Sequence, residues 1–111
     1  MLRTRHTVHG KNTPHYALVA IQADVRRLKG KAFTSTAKNT ARTLGLNVSD
    51  MQQVIHGLER KQFYKSMTTY DDHRVWHDVY HAHSHGLEIY LKVMCRPSGG
   101  PPVISFKEKN S

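Results

Sequence analysis

The chain carries a single cysteine, Cys95, among 111 residues. An internal disulfide is therefore impossible, which excludes the small secreted scaffolds that depend on such staples. No apolar run approaches the roughly 20 residues needed to cross a bilayer as a helix. The opening MLRTRHTVHGKN is basic, but no apolar stretch follows it, so it does not read as a secretory signal and cytoplasmic residence is the default expectation. Acidic residues are scarce where basic ones are dense. Residues 1–49 hold nine Lys or Arg against Asp24 alone, while residues 50–111 hold eight against seven and are close to neutral. Most of the net charge of +9 thus comes from the N-terminal half. Such a field draws in polyanions, either nucleic acid or an acidic protein surface. No carboxylate cluster suggests a magnesium site, and no cofactor is called for.

What is present fits one domain, since 111 residues can bury one core but not two. Residues 1–12 read as a flexible basic tail, and residues 13–111 as the domain. Thr13-Pro14 offers an N-cap followed by proline at the first helical position. Leu18, Ile21, Val25 and Leu28 then follow at helical spacing. Arg26, Arg27 and Lys29 suit the carbonyl end of that helix, and Gly30 suits its C-cap. Lys31–Thr34 reads as extended. A second helix is expected over Ser35–Leu44, stopped by Gly45. Ser49-Asp50-Met51-Gln52 has the form of a capping box, and Met51, Val54, Ile55 and Leu58 mark the face of a third helix ending near Gly57.

After residue 62 the period changes to two. Leu87, Ile89, Leu91 and Val93 alternate with Glu88, Tyr90, Lys92 and Met94, which is the pattern of a half-buried strand. Val103–Lys107, Phe63–Tyr70 and Val75–Tyr80 also read as strands. Asp71–Arg74 forms one turn, and Ser98–Pro102 forms a loop. Helices followed by strands predict an α+β domain, with N-terminal helices packed on a C-terminal antiparallel sheet.

The stretch Phe63–Tyr80, FYKSMTTYDDHRVWHDVY, is dense in groups that move protons or hold phosphate. Packing alone does not call for that mixture. Cleaving RNA without a metal needs a base for the 2′-hydroxyl, cations for the phosphate and an acid for the leaving 5′-oxygen. Lys and Arg supply fixed charge, His titrates near neutrality, and Tyr donates a proton or stacks on a base. Alternation places Tyr90 and Lys92 on one strand face and turns Lys107 away from Ile104 and Phe106. If the apolar residues face the helices, Tyr90 and Lys107 both face outward. Lys65 and His77 are not assigned to a face by pattern, because both faces of their strands hold aromatics.

Thr13-Pro14-His15, Val54-Ile55 with Gly57-Leu58, Phe63–Tyr70 with Asp72-His73, Trp76 and Asp78-Val79-Tyr80, Tyr90-Leu91-Lys92 and Val103–Lys109 together resemble the MqsR (motility quorum-sensing regulator) toxin family over roughly residues 13–109. The resemblance implies a RelE-like fold and a ribosome-independent mRNA interferase acting at short GC-containing sequences. It also implies a cognate antitoxin, a zinc-containing DNA-binding protein like MqsA. The family's active-site lysine in FYKS falls on Lys65, its tyrosine in YLK on Tyr90, and its lysine in SFKEK on Lys107. His77 stands where relatives often carry glutamine. It keeps a hydrogen bond to RNA or adds a titrating group. As a phosphate-contacting cation it would make activity fall as pH rises through its pKa, about 6.5 if unperturbed. Lys65, His77, Tyr90 and Lys107 are thus the catalytic candidates, and Tyr64, Tyr70, Arg74, Lys92 and Lys109 the RNA-binding ones.

Plainer readings compete. Trp76 and Tyr80 read as structural aromatics, and the basic residues near Leu28 serve the helix dipole. His81, His83 and His85 alternate, but they sit in a Gly- and Ser-containing connection with no cysteine pair, so no metal site is expected. Cys95 reads as a strand-end residue. A non-catalytic nucleic-acid- or antitoxin-binding module on the same fold is the alternative. Growth after induction, wild type against Lys65→Ala, separates the two.

Overall fold

The structure, a computed structural model, describes residues 10–110. Its elements run β1 (Gly10–Lys11), α1 (Leu18–Leu28), a 3-10 turn (Lys29–Ala32), α2 (Ser35–Thr43), α3 (Val48–His56), a second 3-10 turn (Arg60–Gln62), β2 (Phe63–Thr68), β3 (Trp76–Ser84), β4 (Leu87–Val93) and β5 (Val103–Glu108). The five strands form one antiparallel meander in the order β1-β2-β3-β4-β5. The α+β class and the helix-then-sheet order hold, with the two-residue β1 ahead of the helices. The tail expected over residues 1–12 lies outside the described residues as far as residue 9. Gly10 and Lys11 pair with Met67 and Ser66 at the sheet edge.

The core lies between the helices and one sheet face. Ile21 and Val25 of α1, Ala37 and Ala41 of α2, and Met51, Val54 and Ile55 of α3 pack with Tyr80, Ala82, Ile89, Leu91, Val93, Val103 and Phe106. Period 3.6 and period 2 single out Ile21, Val25, Met51, Val54, Ile55, Ile89, Leu91, Val93 and Phe106, because each element has one apolar face and buries it. Alternation also turns Ile104 inward and Val103 outward, but the register shift at Lys92/Val93 makes Ile104 the extra residue, so Val103 is buried and Ile104 only half-buried. No helix among the described residues is long and apolar enough to cross a membrane.

Several boundaries differ from the sequence reading. α1 begins at Leu18, and Thr13-Pro14 do not cap it; the N-cap is Ala17, with no side-chain cap bond. The amides of His15 and Tyr16 are instead taken by a buried carboxylate, Asp78, at 3.0 and 2.9 Å. The segment 13–17 is thus committed to β3 before the helix can start. At the other end the backbone turns left-handed at Lys29 (φ 54°), and Gly30 falls inside the 3-10 turn. Of the segment read as extended, Phe33 alone makes a bridge, to Val103. The capping box is Asn47 with Asp50, because Asn47 already stands three residues before an acidic N3. β3 runs on to Ser84, four residues beyond the expected end, and closes on β4 through His85 (φ 55°) and Gly86 (φ 73°). Two consecutive positive φ values make the tight turn whose twist matches a hairpin. His85 Nε2 is held over α3 by Gln53 Oε1 at 3.2 Å and Asp50 Oδ1 at 3.5 Å.

Candidate active site

The sheet face turned away from the helices carries the candidate residues, and strand register arranges them in rows. Lys65 is opposite Val79, and Val79 is opposite Lys92, which is opposite Ser105. Val79 is fully buried although it is on this outer face. Its cross-strand neighbours are two lysines, whose aliphatic stems cover apolar surface while their ammonium groups stay wet. One step along, His81 is opposite Tyr90, and Tyr90 is opposite Lys107.

A bulge aligns β2 with these rows. Phe63 pairs with Tyr80 and Lys65 with Val79, so Tyr64 is an extra residue. Two residues of a bulged strand oppose one on the partner and locally break strict alternation. Tyr64 consequently stacks on His81, with ring centres 4.3 Å apart and planes at 23°. Lys65 Nζ lies 5.4 Å from the Tyr64 ring centre. His81 meets Tyr90 at 5.8 Å, and Lys107 Nζ stands 5.1 Å over the Tyr90 ring. Four strands therefore present a continuous run from Lys65 through Tyr64, His81 and Tyr90 to Lys107. It borders an open cleft of about 380 Å³ lined by Tyr64, His81, Tyr90, Lys107, Lys109 and Asn110.

The electrostatics follow from crowding like charges on a half-buried surface. Burial, then Lys107 and Lys65, lower the pKa of Lys92. Burial, with the Tyr64 phenol beside it, raises that of Tyr90, which therefore stays protonated and able to donate. His81 is lowered by burial first, then by Lys109 and Lys65, with Glu88 acting in the opposite sense. His83, one pair further on, is engaged with Glu88.

The structure brings together Tyr64, Lys65, Tyr90, Lys92, Lys107 and Lys109. His77 shares their face but is opposite Met67, one row past Lys65 and Lys92 and outside the cleft lining. Its pKa is lowered, by burial first and then by Lys92 and Arg96. That direction opposes the cationic role expected near neutrality and favours a neutral imidazole. Arg74 and Tyr70 lie in the β2–β3 connection, at the far end of β2 from Tyr64. Arg74 there pairs with Asp72, Nε to Oδ1 at 3.0 Å. The loop Met94–Pro102 closes β4 to β5 at that same far end. Trp76 stacks on His15 at 5.1 Å and lies under Lys11 at 4.3 Å, and Tyr80 is buried, so both are structural. Sequence reasoning missed His81. Ending β3 at Tyr80 placed it in a connection, although alternation continued from His77 would have turned it outward.

Residues 13–108 match the family described as motility quorum-sensing regulator, toxin of MqsA. The chain belongs to that family. The mRNA interferase toxin MqsR of Escherichia coli (strain K12) is 39% identical to it over 99 residues, 89% of this chain and 98% of that protein. Within the matched range, the segment that opens at Thr13 meets the Asp78-Val79-Tyr80 block at the Asp78 carboxylate, which accepts from the His15 and Tyr16 amides. Tyr16 adds a bond from its hydroxyl to the Trp76 carbonyl at 2.8 Å. The first segment of the MqsR-type chain thus clasps the strand whose opposite face carries His77, Val79 and His81.

Proposed function

We propose that this chain is an endoribonuclease toxin that cuts mRNA independently of the ribosome and of any metal ion, at short GC-containing sequences, and so halts translation and growth. Its partner on this reading is a neighbouring antitoxin of the MqsA kind, a zinc-containing DNA-binding protein. The observation that carries the reading is the run of Lys65, Tyr90 and Lys107 across β2, β4 and β5, beside Lys92 and the cleft. Family membership and the E. coli relative's name support it.

The chemistry available to this face is transesterification. The 2′-oxygen attacks phosphorus, the bond to the 5′-oxygen breaks, and the products are a 2′,3′-cyclic phosphate and a 5′-hydroxyl. Lys65, Lys92 and Lys107 hold the phosphate and its added transition-state charge. Preorganised cations of this kind act most strongly on a partly dehydrated surface. Tyr90, kept protonated, donates to the departing 5′-oxygen. Tyr64 offers an exposed ring for a base, and Lys109 a further backbone contact. Cations and phenols dominate the cleft, and it lacks the carboxylate set that holds catalytic magnesium.

Cleavage of a defined RNA in excess EDTA tests this reading, with chemical analysis of the new ends. Undiminished cleavage leaving 5′-hydroxyl ends is expected. Loss of cleavage in EDTA, rescue by magnesium and 5′-phosphate ends would overturn it. Mapping the cut sites on the same RNA tests the sequence preference.

A further inference from the structure

We propose that His81 is a catalytic residue of this site, the base that takes the proton from the attacking 2′-hydroxyl. The inference rests on the ribonuclease reading and adds the one group that Lys65, Tyr90 and Lys107 do not supply. A lysine ammonium offers donors only, and Tyr90, its pKa raised by burial and then by Tyr64, keeps its phenolic proton, so the set is rich in donors and lacks an acceptor.

Geometry carries the assignment. His81 lines the cleft, flanked by Tyr64 at 4.3 Å and Tyr90 at 5.8 Å. Register sets Tyr90 directly opposite it and Lys107 one strand beyond. A phosphate held by Lys107 over the Tyr90 end of this run would lie within one cross-strand pair of the His81 ring. Stacking on Tyr64 fixes the imidazole plane while its edge stays half-exposed in the cleft. The charged and titratable groups around it are Tyr64 and Lys65 from β2, Glu88 and Tyr90 from β4, Lys107 and Lys109 from the end of β5, and His83 on its own strand. Burial first, then Lys109 and Lys65, favour the neutral imidazole, against Glu88, which His83 engages. A neutral imidazole has the lone pair a base needs.

The step balances without a co-reactant. The proton leaves the 2′-oxygen for the free imidazole nitrogen as the O2′–P bond forms. The P–O5′ bond breaks, and the 5′-oxygen takes a proton from Tyr90. The resulting imidazolium gives its proton to solvent and the Tyr90 phenolate takes one back, which resets both groups before the next turnover.

The test is a single-turnover pH–rate profile on one short RNA, for wild type, His81→Phe, His81→Gln and, as a control, His77→Gln. Phenylalanine keeps the stack and glutamine keeps polarity, and thermal melting of each verifies folding. The wild-type rate should rise with pH through a value below 6.5 and then level off. Both His81 variants should lose that limb and fall on the order of 10²- to 10⁴-fold, the usual range for a lost general base. His77→Gln should keep the limb, and added imidazole should restore part of the His81→Gln rate. If His81→Phe keeps both the limb and the wild-type rate, His81 is a packing residue and the assignment is overturned. A wild type that cuts no RNA would overturn the nuclease reading as well, so the two failures are distinguishable.

Discussion

At the scale of single residues, the outer face separates groups that hold charge from groups that hold the fold. Lys65 and Lys107 are at opposite ends of the aromatic run, and neither anchors the core. Replacing either with alanine should lower cleavage by about 10²-fold or more, the scale of losing one electrostatic transition-state contact. Melting temperature should barely change for the exposed Lys107, whereas Lys65→Ala uncovers part of Val79 and should lower it modestly. Full activity in either variant would remove that lysine from the site. His77 behaves differently. Its pKa is depressed by burial and by Lys92 and Arg96, so its charged form appears only as pH falls below the ordinary histidine range. Above about pH 6.5 it is neutral, as glutamine is, so His77→Gln should cut RNA within about threefold of wild type between pH 6.5 and 8. A rate that declines through that window in wild type and stays level in the variant would reinstate a cationic His77.

At the scale of elements, most of the fold could be read from periodicity, and the joints could not. The helical faces of Ile21, Val25, Met51, Val54 and Ile55 and the alternating Leu87–Val93 predict themselves, because each element buries one face. The boundaries moved where a long-range contact outweighed a local signal. Thr13-Pro14 has the local form of a helix start, yet Asp78, more than 60 positions away, takes the next two amides. The bulge at Tyr64 was equally invisible, since no residue type marks it, and it sets which aromatics stack. Hence Tyr90 and Lys107 could be placed outward from pattern, while Lys65, His77 and His81 needed the register. The clasp at Asp78 has a measurable consequence. Its carboxylate is 1% exposed and accepts two backbone donors. Asp78→Ala leaves both amides without that partner and should destabilise the fold by about 2–5 kcal/mol, the cost of losing buried bonds to a charged acceptor. Asp78→Asn keeps one acceptor oxygen and should lose less. Urea unfolding of the three proteins checks the order, and equal midpoints would show that the segment 13–17 is held by packing alone.

At the scale of the whole molecule, charge is distributed over two faces with different tasks. The cations on and beside the cleft, Lys107 and Lys109 in its lining and Lys65 and Lys92 on the same sheet face, all come from the nearly neutral C-terminal half. The excess of the N-terminal half sits on the helical layer instead: Arg26 and Arg27 in the last turn of α1, Lys29 and Lys31 in the 3-10 turn, and Lys38 and Arg42 on α2. Asp24 is the one acidic residue of residues 1–49, and it is bonded to Arg27 at 3.1 Å. Complementing a helix dipole explains Arg26 and Arg27, but six cations exceed what two short helices require. An acidic partner surface facing this layer would meet all six and leave the cleft free on the opposite face of the sheet. Electrostatic attraction of this kind acts on encounter more than on the bound state, and salt screens it over about 8 Å at physiological ionic strength. Association with the neighbouring gene product should slow as salt rises from low to physiological concentration, while dissociation changes little. Lys38→Glu with Arg42→Glu should lower the on-rate and its salt dependence together and leave RNA cleavage by the free toxin near the wild-type level. Stopped-flow binding across ionic strengths, run beside the cleavage assay, reads both quantities. An on-rate that ignores both salt and the charge reversal would place the antitoxin elsewhere, and a parallel loss of cleavage would mean that the helical layer also handles RNA.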